Sequence, residues 1–325
     1  MALLNMAQAI NMALKQEMEK NKKIILLGED IGVDGGVFRV TEGLLEKFGP
    51  DRVIDTPLAE SAIVGASIGM ALYGLKPVAE IQFDGFLYPA LDQLISHAAK
   101  MRNRSRGRFS CPMVIRVPCS GGIHAPEHHS ESPEAYIVHT PGLKAVMPST
   151  PYDAKGLLTS AIRSQDPVVF FEPKKLYRSP KMEVPDKDYE IPIGKARIVD
   201  EGQDVTFVSW GTMVHICEEA SAMLKEKNIS AEIIDLRSLS PMDTDAVLQS
   251  VKKTGRAVIV HEAPRTLGLG AEIAATISEA GILSLKAPVK RVTGYDIPMP
   301  LARHENLYLP NAERVKKAAE ELMRF

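Results

Sequence analysis

Two stretches of this 325-residue chain carry side chains able to move protons. Between Asp55 and Gly74 it reads DTPLAESAIVGASIGMALYG, where Thr56-Pro57 ends an extended segment and Ala59-Glu60-Ser61 opens a helix of small apolar residues. The helix dipole favours a carboxylate in a first turn, and that alone explains Glu60 as an ordinary structural residue. The helix behind it is almost wholly apolar, however, so Glu60 stands at the edge of a dry wall where proton sharing becomes possible. The second stretch, GGIHAPEHHSES from Gly121 to Ser132, gathers His124, Glu127, His128 and His129 in a glycine-containing loop. Such imidazoles either exchange protons near neutral pH or ligate zinc, although the H-x3-H-H spacing lacks the helical HExxH frame. Gly268 and Gly270, in TLGLGAEI, suggest a dinucleotide loop only faintly; the third glycine is missing, and a helix entrance explains them better.

These groups need a scaffold, and the apolar pattern supplies one. Short Val- and Ile-rich runs alternate with stretches of helical period, the pattern of parallel strands covered by helices, so the fold class is α/β. Strands are expected at 24–27, 52–54, 78–83, 113–117, 144–147 and 168–171, with helices at 61–73 and 87–102 between them. Residues 177–192, YRSPKMEVPDKDYEIP, break the rhythm with three prolines and read as a crossover between domains. Beyond it, strands are expected at 204–209, 231–235, 257–261 and 289–292, and helices at 213–225, 244–253, 269–280 and 312–323. Two α/β domains result, residues 1–190 and 191–325.

Composition narrows the function. Lys and Arg number 39 against 41 Asp and Glu, so the net charge of -2 leaves no field of one sign to hold nucleic acid or an anionic membrane. No run of about 18 uncharged apolar residues is present to span a bilayer. Cys111, Cys119 and Cys217 match neither a zinc knuckle nor a disulfide framework, and the amino terminus lacks a basic region followed by a cleavable apolar core, so a cytoplasmic location is expected.

Beside TPLAES, four longer segments fall in order along the chain: GEDIGVDGGVFRVTEGL (Gly28 to Leu44), KPVAEIQFDGFLYPALDQ (Lys76 to Gln93), HTPGLKAVMPSTPYDAKGLL (His139 to Leu158) and DPVVFFEPKKLYRS (Asp166 to Ser179). Over nearly its whole length the chain resembles the beta subunit of the thiamine-diphosphate-dependent decarboxylating component of 2-oxo acid dehydrogenase complexes. The resemblance implies a pyrimidine-binding domain of the thiamine-diphosphate-binding fold, followed by a domain of transketolase C-terminal type. It implies that Glu60 hydrogen-bonds the cofactor's aminopyrimidine at the ring nitrogen para to the amino group. Sharing that proton favours the imino tautomer, whose lone pair can deprotonate the thiazolium carbon. Leu58, Gln82 and Phe86 fall where the family meets the pyrimidine through a backbone carbonyl, an amide side chain and an aromatic face. His129 would face the thiazolium and assist acyl transfer to a lipoyl arm, with His128 facing solvent or in support, while Glu80 could equally pair with a neighbouring lysine. A structural potassium ion is implied at oxygens of Met113, Ala161, Ile162 and Ser164 and at the side chain of Asp166, where Ser164 and Asp166 replace the Asp and Asn of some relatives.

The family also needs magnesium, held by a Gly-Asp-Gly segment that these 325 residues lack. A companion alpha subunit must therefore bring magnesium and bind the diphosphate, which implies a heterotetramer of two alpha and two beta chains with its catalytic centres at the seam. The expected function is decarboxylation of a 2-oxo acid and acylation of lipoyl-lysine on a dihydrolipoyl acyltransferase core, near which Asp296 and the terminal Phe325 would dock. FLYPALDQ leans towards branched-chain relatives and HAPEHHSES towards pyruvate relatives, leaving the substrate open. The rival readings are a non-catalytic scaffolding paralogue of the same fold and a zinc-dependent hydrolase built on the His124 to His129 loop.

Overall fold

The computed structural model describes all residues, 1–325, and contains two main sheets. The first has seven strands in the order Ser238–Ser240, Lys144–Val146, Val168–Pro173, Val114–Cys119, Lys76–Glu80, Ile24–Gly28 and Val53–Asp55. All neighbours run parallel except Ser238–Ser240, which joins the edge antiparallel. Helices cover both faces, so IILLG, VIRVPC and VVFFEP are buried at every position, which is why they read as continuous apolar runs rather than alternating ones. On one face lies helix Glu60–Leu72, whose Ile63, Val64 and Ile68 join a cluster with Leu27, Ala79, Ile115 and Phe171. On the other, helices Met6–Lys20 and Pro151–Arg163 pack on Leu26, Val78, Val114 and Phe170.

Local chemistry starts the two helices of that second face. Asn5 caps Met6–Lys20 by accepting from Gln8 N at 3.0 Å while the Gln8 side chain accepts from Asn5 N at 3.1 Å, a reciprocal capping box. Thr150 caps Pro151–Arg163, with proline in the first turn where its missing N–H costs nothing.

The second sheet runs Lys290–Val292, Ala257–Val260, Val205–Ser209, Ala231–Asp235, Arg197–Asp200, with only the last antiparallel. Helices Met213–Lys225, Thr244–Thr254, Leu269–Gly281 and Ala312–Leu322 flank it, close to their expected positions. Ser238–Ser240, contributed by the second half, sews the two halves together, and the cluster containing Ile115 and Phe171 continues through Trp210, Leu236 and Ile259.

Two expectations change. Residues 87–102 are not one helix but a 3-10 helix, Asp84–Ala90, a π-helical turn, Gln93–Ala98, and a short α-helix, Met101–Arg104. Pro89 has no N–H to give a helical ladder, so the apolar spacing is met by tighter and wider turns. The crossover is not featureless either: Met182–Val184 pairs antiparallel with Ala2–Leu4, and Arg163 ties Asp188 and Glu190 to Glu17.

Candidate active site

Val114–Cys119, Lys76–Glu80, Ile24–Gly28 and Val53–Asp55 are neighbours and parallel, so their carboxyl ends open together on one edge, where α/β sheets hold ligands. The segments leaving those four ends carry His129, Gln82 with Phe86, Glu29 and Glu60, respectively. Residues up to about 100 positions apart in sequence therefore converge because of strand order alone.

Glu60 is the first residue of its helix, and its N-cap, Ala59, offers no side-chain bond to the free N–H groups of the first turn. It is buried, whereas Leu58 two residues earlier is 74% exposed. Beside it lies a residue that sequence reasoning left without a role. Glu29 is buried, its Oε1 has no hydrogen-bond partner, and its carboxyl is pushed up to about 7, first by burial and then by the charges of Glu60, Asp30 and Glu80. A buried carboxyl facing other carboxylates holds its proton more readily than a free one. The signal was present: Glu29-Asp30 follows the all-apolar run IILLG directly. Asp55 fixes the loop after Glu29, accepting from Gly32 N at 2.6 Å and Val33 N at 3.0 Å.

Gln82 Nε2 donates to Asp30 Oδ2 at 2.9 Å, which turns the amide towards the same acidic group. Phe86 stands edge-on to Phe83 with centroids 5.9 Å apart, and the His129 ring sits 4.1 Å from Phe83 and 5.3 Å from Phe86. His129 Nδ1 lies 2.7 Å from the Glu127 carbonyl, an acceptor, so Nδ1 is the donor there and Nε2 is the nitrogen left for other contacts. An acidic pair with an orphaned oxygen, an amide and two phenylalanine rings fit a flat, nitrogen-bearing ring such as an aminopyrimidine.

A buried ionic layer supports this surface. Arg116 bonds Glu80 at 2.5 Å and grips Glu172 through two bonds of 2.7 and 2.8 Å, so the partner of Glu80 is the arginine directly beside it on the neighbouring strand and not a lysine. Lys174 bonds Asp84 at 2.6 Å with neither side chain exposed, and burial still raises the Asp84 carboxyl to about 6.

The loop Gly121 to Ser132 does not make a zinc site. His124 Nδ1 faces the Ala302 carbonyl at 2.9 Å, His128 is exposed, His129 turns to the phenylalanines, and no three His, Cys, Asp or Glu groups gather to hold a metal ion. The structure does bring Met113, Ala161, Ile162, Ser164 and Asp166 into one region, but cationic side chains already serve their oxygens. Lys76 Nζ donates to Ile162 O and Lys144 Nζ to Ser164 Oγ, each at 3.1 Å, and Arg102 Nε pairs with Asp166 at 2.6 Å. Met113 O and Ala161 O accept from Val168 N and Ser164 N. Hydrogen-bond donors thus already reach the Met113, Ala161 and Ile162 carbonyls and the Ser164 and Asp166 side chains. Gly268 and Gly270 open helix Leu269–Gly281, and a Cβ on either would strike the ring of His261 at 2.8 or 2.5 Å, so the glycines make room for a buried histidine. A cleft of about 2100 Å³ passes Arg102, Asp166, Leu267 and Glu272, and none of Glu60, Gln82, Phe86 or His129 lines it.

Residues 3–180 match the family described as transketolase, pyrimidine binding domain, and residues 194–315 that described as transketolase, C-terminal domain. A split-gene transketolase solved as an inactive beta4 tetramer superposes with a TM-score of 0.81 over 99% of both chains at 24% identity, a likeness of fold. The chain is thus of transketolase type. It is 54% identical over 315 residues to the pyruvate dehydrogenase E1 component subunit beta of Acholeplasma laidlawii, covering 97% of this chain and 96% of that one. Over the full length of both chains it is 49% identical to the Bacillus subtilis (strain 168) protein of the same name and also 49% identical to the 2-oxoisovalerate dehydrogenase subunit beta of that organism. The chain belongs to the family of beta subunits of the thiamine-dependent 2-oxo acid dehydrogenases.

Proposed function

We propose that the chain, joined to an alpha subunit in a heterotetramer of two alpha and two beta chains, decarboxylates a 2-oxo acid and passes the acyl group to lipoyl-lysine of a dihydrolipoyl acyltransferase. The observation that carries this is the convergence of Glu60, Gln82, Phe86 and His129 on one sheet edge, in a chain about half identical throughout to beta subunits of two such dehydrogenases.

Bound thiamine diphosphate supplies the nucleophilic carbon and the electron sink for decarboxylation. This chain's residues ready it. Glu60 gives and takes the proton at the aminopyrimidine nitrogen, and Glu29, raised to about 7, keeps a second exchangeable proton beside it. Gln82 and the Leu58 carbonyl would hold the ring's edge and Phe86 its face. His129, with Nε2 free, exchanges a proton with the substrate oxygen and then with the lipoyl sulfur. Magnesium and the diphosphate belong to the alpha subunit in this reading, because no Gly-Asp-Gly occurs here. No step uses potassium.

Residues 1–190 act as the pyrimidine domain and 191–325 as the second domain. Phe325, 72% exposed, and Asp296, which accepts from Thr266 N and Oγ1 at 2.8 Å, are our choice for docking the acyltransferase core. Three unpaired, buried cysteines suit a cytoplasmic enzyme, and no helix is long and apolar enough to cross a membrane.

Co-expression with the alpha subunit and kinetics on pyruvate and on 2-oxoisovalerate test the reading and assign the substrate. In that complex Glu60→Gln should abolish exchange of the thiazolium proton while the tetramer persists; unchanged exchange refutes the role of Glu60.

A further inference from the structure

We infer that Glu305 is a positioning residue for His129, acting from the carboxy-terminal domain across the seam; this rests on the role of His129 above. Glu305 opens the short helix Glu305–Tyr308 and is 1% exposed. Its Oε1 accepts from Gly122 N at 2.7 Å and lies 3.5 Å from Ser130 Oγ, and its Oε2 accepts from His124 N at 2.8 Å. Three donors of one loop, drawn from both of its limbs, thus converge on a single buried carboxylate. Ser130 adjoins His129.

The loop needs such a hold. Ser120, His124 and His128 all have positive φ, at 71°, 56° and 63°, a region that side-chain-bearing residues enter only when their surroundings over-determine it. Ser120 N closes the base by donating to Glu131 O at 2.8 Å, Gly121 N donates to Glu262 Oε2 at 2.9 Å, and Gly85 N grips His128 O at 3.1 Å from the pyrimidine-domain side. His129 is therefore set between two grips, one from each domain. Buried charge-assisted bonds to backbone N–H groups are the strong kind, so Glu305 supplies the firmer one. Its removal leaves the N–H groups of Gly122 and His124 without acceptors, and the imidazole loses its fixed place against Phe83.

The test uses beta variants assembled with the alpha subunit. Glu305→Gln keeps the size but turns an amide NH2 against one of the two backbone N–H donors; Glu305→Asp keeps the charge on a shorter stem. Glu305→Gln should lower kcat for acylation of a free lipoyl domain about tenfold, a barrier change of about 1.4 kcal/mol. The KM for the 2-oxo acid should stay within about twofold, thiazolium proton exchange should be unchanged because it depends on Glu60, and Glu305→Asp should recover part of the loss. Normal acylation by Glu305→Gln, or equal loss of acylation and proton exchange, overturns the inference. His129→Ala separates the two claims: if it is impaired while Glu305→Gln is normal, this inference alone falls, and if it turns over normally, the role of His129 falls and takes this inference with it.

Discussion

Gly85→Ala should disable the enzyme by about one ångström. Gly85 has no positive φ, so its backbone accepts alanine, and nothing but space forbids the methyl group. A Cβ there would stand 2.4 Å from the His128 carbonyl oxygen, 2.6 Å from its Cβ and 3.0 Å from its Cα. Ordinary contact begins near 3.4 Å, and the obstacle is backbone rather than the tip of a flexible side chain, so the loop must recede by about 1 Å, the difference between 3.4 and 2.4 Å. Receding stretches the bond from Gly85 N to His128 O, now 3.1 Å, and lifts His129 from the Phe83 ring, now 4.1 Å away. A misplacement of that size costs on the order of 100-fold in rate, whereas overpacking costs about 1–3 kcal/mol of stability, and the tetramer should still assemble. The assay is kcat for lipoyl-domain acylation by the assembled enzyme, with thiazolium proton exchange as the control for an intact Glu60 side. Turnover within twofold of the unaltered enzyme would refute the reasoning, because a loop able to absorb the methyl group freely is not what holds the imidazole.

Three other outcomes follow from charges buried at or near the site. Glu60→Gln removes the second-largest cause of the raised Glu29 carboxyl but leaves the largest, burial, so Glu29 should fall from about 7 yet stay above 4.5; carboxyl infrared or NMR titration reads this, and an unmoved Glu29 contradicts the pairing. Arg116→Leu strands Glu80 and Glu172 without their shared guanidinium and should cost about 3–5 kcal/mol in denaturant unfolding, so a loss under about 1 kcal/mol would count against it. Burial raises Glu134 to about 8, so between pH 4.5 and 8 the folded chain binds a proton there that the unfolded chain does not. Its contribution to stability therefore declines as pH rises through that window. Glu134→Gln should flatten the decline, and unfolding measured at pH 5 and pH 8 that keeps the same slope would contradict the assignment.

What the sequence could and could not disclose follows from the range of the forces concerned. VVFFEP, IILLG and the helix from Glu60 are legible because burial on two faces, or a run of small residues, writes itself into consecutive positions. Glu60, Gln82, Phe86 and His129 come from separate segments, and only resemblance to a family put them together; the sheet order supplies the physical reason, four parallel strands ending on one edge. The false single helix at 87–102 arose from apolar spacing that 3-10 and π turns around Pro89 satisfy equally well. Ser238–Ser240 was invisible for a different reason: three residues carry no period, and their partner strand, Lys144–Val146, lies in the other half of the chain. Glu305 belongs with that last case. Nothing in HENLYLP distinguishes its carboxylate from a solvated one, and its meaning lies wholly in donors more than 170 positions away, Gly122, His124 and Ser130. The features that shape the loop around His129 are contacts between the domains, and such contacts are set by how two finished surfaces meet rather than by any local pattern. Glu262 reaching Gly121 N and Glu305 reaching Gly122 N tie the carboxy-terminal half of the chain to the loop that carries His129 in the proposed site. A pyrimidine domain severed from that half would therefore keep Glu60 on its helix but lose the register of the histidine loop.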